Sequence, residues 1–224
     1  MLGRQDVVAS REQFARILDT EGFASHLDRD SWQEQAGWVT PETFFGALGF
    51  PKVESMDISD VEGAEIVFDL NEAATPPHLV GRCDVLFTGG TLEHVFHLPN
   101  ALARCADILK DGGAFVHIGP LNNYADHGFY QFSATLWFDW FAVNGWSVQE
   151  SVLVRLPSYN RPEPSGWGYS FLPPDRLGRV GQLAMRLICI SSWPGRTPAR
   201  SPIASRCRRS TPSGTKMCLT RRAA

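Results

Sequence analysis

Between residues 84 and 120 the apolar positions change period twice. Val85-Leu86-Phe87 is a short continuous run that ends in Gly89-Gly90. A stripe of Leu98, Ala101, Leu102, Cys105, Ile108 and Leu109 follows at spacings of three and four, the repeat of a helix with one buried face. Gly112-Gly113 then stops the helix and hands the chain to a second apolar run, Ala114-Phe115-Val116-His117-Ile118. Strand, helix and strand in this order make a βαβ unit, whose right-handed crossover sets the two strands parallel.

The same reading extends outward. Residues 10 to 28 carry Phe14, Ile17, Leu18 and Phe23 on one side, and Ser10 with Gln13 three positions on is the pattern of a capping box. Thr40-Pro41-Glu42 opens a second helix with Phe44, Phe45 and Leu48 inward and Gly49 closing it. Residues 52–58 and 64–70 read as strands, Thr135 to Phe141 as an apolar helix, and Trp146 to Val154 as a late antiparallel strand. Pro157 to Pro174, rich in Pro, Gly and aromatics, reads as a loop or lid. Leu2-Gly3-Arg4-Gln5 reads as the end of a first strand that begins before Met1. Alternation of strand and helix predicts an α/β, Rossmann-like, mostly parallel sheet with helices on both faces.

Composition supports one domain of ordinary size: 43% of the 224 residues are apolar and seven are Trp. No apolar run approaches a membrane span and no signal peptide pattern opens the chain, so a cytoplasmic protein is expected. Five cysteines, Cys83, Cys105, Cys189, Cys207 and Cys218, show no Cys-x-x-Cys spacing and are expected to be reduced thiols.

The net charge of −3 hides an asymmetry: residues 1–175 hold all 24 acids with 10 Lys or Arg, and residues 176–224 hold 11 Lys or Arg and no acid. The boundary divides a domain, 1–175, from a basic Arg/Ser/Pro-rich tail, 176–224, expected to be disordered. Such a tail could meet phosphates, but it lacks the Lys-rich or aromatic-interleaved character of nucleic-acid arms, and nucleic acid is not the expected partner. The composition fits equally well a shift of reading frame in a GC-rich gene.

In an open parallel sheet, ligands bind beyond the carboxyl ends of the strands. Asp57 falls there, where a carboxylate accepts hydrogen bonds from ribose hydroxyls or serves as a turn residue. Asp69, followed by Leu70 and Asn71, either receives an adenine amine, with Leu70 against the ring, or closes an Asx turn. Gly89-Gly90 permits close backbone approach or makes a tight turn. Glu93 and His94 follow, Glu93 also suiting a helix first turn. Asn122, Asn123, Asp126, His127, Tyr130 and Gln131 form a loop dense in polar and aromatic groups, which either holds an acceptor substrate, with Asp126-His127 as an oriented base, or satisfies itself by packing on the sheet end. His94, His97, His117 and His127 invite a metal, but no carboxylate stands at a recognisable motif spacing, so none is expected. No Gly-x-Gly-x-x-Gly turn for NAD or FAD and no Walker motif is present.

Asp84 to Gly113, with Leu92-Glu93-His94 after the strand and Lys110-Asp111-Gly112-Gly113 after the helix, resembles the second half of class I S-adenosylmethionine-dependent methyltransferases of the type 11-like group. The resemblance covers about residues 40–150. It implies S-adenosyl-L-methionine as cofactor, held by Gly3, Asp57, Asp69, Leu70, Gly89, Gly90 and Glu93. It further implies a small-molecule or glycan acceptor near Asn122 to Gln131, and His127 or His94 as base. Gly3 stands alone where most of that family carry several glycines. The alternative is a noncatalytic, degenerate relative that acts as a binding module.

Overall fold

The computed structural model describes residues 1–155 and the backbones of two further strands, Trp167–Ser170 and Met185–Ser192. Helix α1 (Arg11–Thr20) starts where the sequence expects, with Ser10 and Gln13 capping each other reciprocally. Phe14 and Leu18, one turn apart, are its buried face, while Ile17 is 53% exposed and the chain has left the helix before Phe23. A hairpin, β1 (Glu34–Gln35) and β2 (Trp38–Val39), and α2 (Pro41–Ala47) complete a small satellite core of Phe14, Leu18, Trp32, Val39 and Ala47. Thr40 caps α2 through its hydroxyl, Pro41 fills the first turn, and Gly49 at φ 95° ends it.

The main sheet begins with β3 (Met56–Asp57) and β4 (Ile66–Val67), a parallel pair of two residues each. Both are much shorter than the runs that suggest them. Beyond β3 the next position in the sheet is held by Leu2 alone, which bridges Met56 on one side and Thr88 on the other, both in parallel sense. A strand needs neighbours to bond with, and one residue offers little ladder. On the far side of Leu2 stand β5 (Cys83–Gly89) and β6 (Leu109–Asn122), parallel and joined by α3 (Leu98–Ile108). This is the expected βαβ unit with one change: α3 stops at Ile108, where Leu109 turns extended, and Gly112-Gly113 lies inside the irregular start of β6.

Helix α4 (Ala134–Val143) leads to β7 (Ser147–Arg155), the late antiparallel strand. It pairs with β8 (Trp167–Ser170), so part of the expected loop after Pro157 is strand; the rest of that loop lies outside the described residues. Between β6 and β7, antiparallel to both, lies β9 (Met185–Ser192). The sheet therefore draws a strand from the segment assigned to the tail, and the charge boundary at residue 175 is not the boundary of the fold. Residues 193–224 lie outside the described set.

Leu86 and Thr88 pair in register with Phe115 and His117, and on this face α4 packs Trp137 and Phe141 against Phe115. On the other face Phe87 meets Phe45 of α2. Helices thus cover both faces of a mixed sheet, parallel from β4 through β6 and antiparallel from β6 through β9 and β7 to β8, within an α/β, Rossmann-like architecture. Among the described residues no helix is long and apolar enough to cross a membrane.

Candidate functional site

A cleft of about 890 Å³ opens where β3, β4 and β5 end, lined by Gly3, Gln5, Asp57, Asp69, Leu70, Gly89, Gly90, Thr91 and His94. It lies beyond the carboxyl ends of parallel strands, at the position where such sheets bind ligands. Gly3 forms part of its floor, held in the sheet with its neighbour Leu2: Leu2 N donates to Phe87 O and Gly3 N to Met56 O, each at 2.8 Å. Thr91 Oγ1 donates to Leu2 O at 2.8 Å and ties this floor to the loop after β5. Gly3 adopts φ 64°, and a Cβ there would stand 3.1 Å from Thr91 Oγ1. A Cβ on Gly89 would collide with the side-chain oxygen of Gln5, so backbone and cleft wall approach as closely as glycine allows.

Asp57 Oδ1 accepts the amide of Ile58 at 2.6 Å. That contact is local and leaves the carboxylate beside Gly3, whose Cβ position is 3.7 Å from Oδ2. Asp69 Oδ1 accepts both the amide and the side-chain nitrogen of Asn71 at 2.8 Å, the Asx-turn arrangement, while the residue still lines the cleft. Asn71 in turn accepts the amide of His97 at 2.9 Å and the Asn100 side chain at 2.8 Å, so the loop after β4 is fastened to the start of α3.

Glu93 departs from its expected place. It is 1% exposed and is not among the residues lining the cleft. Its carbonyl accepts the amides of Phe129 and Tyr130 at 2.7 and 3.2 Å, and its Oε1 lies 3.5 Å from His127 Nε2. The buried carboxylate facing His127 is therefore Glu93, whereas Asp126 is exposed. The rings of His94 and His127 meet edge to face at 4.8 Å. Gly128, at φ 72°, allows this approach, since a Cβ there would stand 2.7 Å from Glu93 O.

The loop that follows β6 is largely engaged with its own surroundings. Tyr130 Oη donates to Phe96 O at 2.6 Å, and Gln131 Oε1 accepts the amide of Tyr124 at 3.0 Å. Asn123 is at φ 59°, and Asn122 Oδ1 is buried without a hydrogen-bond partner. None of Asn122, Asn123, Asp126, Tyr130 and Gln131 is among the residues lining the cleft; the loop reaches its edge through His127 against His94. His117 lies apart, fully buried against Trp137 and Phe132. His97 occupies the residue before α3. Gln5 is a cleft residue to which the sequence gives no ligand role; its only signal is its place two residues after Gly3. Cys83 and Cys105 are free thiols, and burial pushes Cys83 up to about 11, which keeps it protonated and unreactive near neutrality.

No family model matches the chain, and no curated protein does. Solved structures with a similar fold include the YcgJ protein of Bacillus subtilis, with 14% identity over 69% of this chain and 88% of that one, at a TM-score of 0.41. An S-adenosylmethionine-dependent methyltransferase of Thermotoga maritima shares 15% identity over 62% of this chain and 72% of that one, at a TM-score of 0.41. The 1,6-didemethyltoxoflavin-N1-methyltransferase of Burkholderia thailandensis, solved with its substrate and S-adenosylhomocysteine, shares 14% over 80% and 76%, at a TM-score of 0.40. Scores this low leave the fold and the site to stand on the chain's own geometry.

Proposed function

We propose that the chain is an S-adenosylmethionine-dependent methyltransferase acting on a small-molecule or glycan acceptor. The observation that carries the reading is the cleft itself: two carboxylates, Asp57 and Asp69, close to the ends of neighbouring parallel strands, facing a wall of glycine backbone. Asp57 would accept the ribose hydroxyls. Asp69 would take the adenine amine, with Leu70 against the ring, while Gly3, Gly89 and Gly90 leave room for the methionine portion. When bound, the sulfonium supplies an activated methyl group, so the protein's task is proximity and orientation.

An acceptor that must lose a proton would give it to His127, steadied by Glu93, with His94 at the cleft edge. Asn122, Asn123, Asp126, Tyr130 and Gln131 would shape the acceptor side of this edge, Tyr130 and Gln131 through the loop bonds they already make. The test is calorimetric titration of the full chain with S-adenosylmethionine, with NADH as control. Saturable one-site binding is expected, and Asp57→Ala should abolish it. Folded protein that gives no heat sinks the reading.

A second reading, a domain that binds without turnover, is favoured by one observation: one Asp69 carboxylate oxygen, Oδ1, is already committed to Asn71. Binding of S-adenosylmethionine with no methyl transfer across hydroxyl, amine and sugar acceptors would select it.

A further inference from the structure

We propose that Glu93, His94 and His127 form a binding site for a divalent first-row transition ion, best matched by zinc, at the edge of the cleft. One ligand atom from each of the three side chains lies within 4.8 Å of the others, and Glu93 Oε1 stands 3.5 Å from His127 Nε2. Ligands around a tetrahedral zinc sit about 3.3 Å apart, given metal bonds of about 2.0–2.1 Å. Small side-chain rotations therefore close this set on an ion. Two neutral imidazoles and a carboxylate are a donor set that zinc-class ions favour over magnesium or calcium.

The second observation is independent of that spacing. Glu93 is 1% exposed and its Oε2 has no hydrogen-bond partner. An ionised carboxylate is expensive to bury unless it is paired. His127 Nε2 lies 3.5 Å from the other oxygen, Oε1, so Oε2 is a buried acceptor with nothing to bond it, next to two imidazoles.

The ligands also come pre-positioned from two directions. Glu93 and His94 sit in the short turn Leu92–His94 after β5, and His127 is carried by the loop that hangs from Glu93 O through the amides of Phe129 and Tyr130. His94 is exposed and lines the cleft. The remaining coordination position thus opens towards the cleft, where water or a ligand oxygen can fill it, the arrangement of reactive rather than structural zinc sites. Spacing along the chain shows no such motif because the third ligand arrives only when the loop folds back.

The ion site rests on these side chains and not on methyl transfer. With an ion bound, both imidazoles commit a lone pair to it, so the proton-accepting role proposed for His127 belongs to the ion-free protein. In the ion-bound protein the cation would instead polarise whatever oxygen enters the cleft.

The experiment uses the full chain without a polyhistidine tag, stripped with chelator and with its accessible thiols alkylated. It is titrated with Co²⁺ as an optical probe, and Zn²⁺ uptake is followed by equilibrium dialysis. One Co²⁺ per chain is expected, displaced by Zn²⁺. His94→Ala, at an exposed position and so little able to disturb folding, should weaken uptake about 100-fold or more, and Glu93→Gln should do the same. Circular dichroism on the same samples reports whether each variant is folded. Folded wild-type protein that takes up no Co²⁺, or binds it equally well after His94→Ala, overturns the proposal. S-adenosylmethionine is titrated into the stripped protein in parallel. Cofactor binding without metal uptake sinks the ion site alone, and metal uptake without cofactor binding sinks the methyltransferase reading alone.

Discussion

His117 pairs in register with Thr88, and its ring lies 4.1 Å from that of Trp137 and 5.3 Å from that of Phe132. Neither ring nitrogen has a hydrogen-bond partner, and burial pushes its pKa down to about 3. In the unfolded chain the same imidazole titrates near its ordinary value of about 6.5. Above that pH both states are neutral and the group contributes nothing to the pH dependence. Below it only the unfolded chain takes the proton, so stability falls by about 1.4 kcal/mol per pH unit from about 6.5 towards 3. Urea unfolding at pH 7 and pH 5 should therefore show a loss of about 2 kcal/mol in the wild type that is absent in His117→Leu. Equal losses in both proteins would mean that His117 is not buried in neutral form.

At the scale of elements, the loop after β6 is pinned to the turn after β5 by two amides on one carbonyl, and Gly128 is what lets them meet. Gly128→Ala demands a positive φ from alanine and places a methyl group 2.7 Å from Glu93 O. It should cost roughly 1–3 kcal/mol and separate His127 from Glu93. A lowered melting temperature, with the His127 ring signals shifted in NMR spectra, would report both effects. Elements of this kind differ in how far sequence reveals them. Helices α1 and α2 were legible because Ser10 with Gln13, and Thr40 with Pro41, are local signals. The apolar runs around β3 and β4 exceed the strands they form, because strand length depends on neighbours that the run itself does not contain. Strand β9 was hidden by its surroundings: Leu187-Ile188-Cys189-Ile190 is a strand-like apolar run, but it stands in a segment whose charge reads as tail. The sequence puts the end of α3 too late, because Gly112-Gly113 marks an irregularity in β6 and not a helix cap.

Over the whole molecule, the order β5, β6, β9, β7, β8 puts the last of the described strands in the middle of the sheet. A chain cut after Asp175 would leave β6 and β7 without the strand that joins them, and both would expose bonding edges. Such a fragment should lack cooperative thermal unfolding and should aggregate; a well-folded fragment would contradict the strand order. The candidate site divides in the same way. Gly3, Asp57, Asp69, Leu70, Gly89, Gly90 and His94 were legible because each falls at or just past a strand end, and the sheet brings strand ends together. The meeting of Glu93 with His127 was not, since it depends on a loop returning across the sheet end.

Leu2, completely buried, is the one residue that bridges β3 and β5 in the sheet among the described residues, and a groove of about 560 Å³ lined by Met1, Phe45, Met56, Val85 and Phe87 runs beside it. The seam divides the cleft, with Asp57 on one side and Gly89 and Gly90 on the other. Partial opening there needs few backbone bonds to break, so the amides of Leu2, Gly3 and Met56 should exchange with solvent deuterium through an opening far less costly than global unfolding. A ligand that spans the cleft bridges the two halves and raises that opening cost by its binding free energy. Slower exchange at those three amides, with little change in the interior of β6, would show the ligand clamping the two halves of the sheet together.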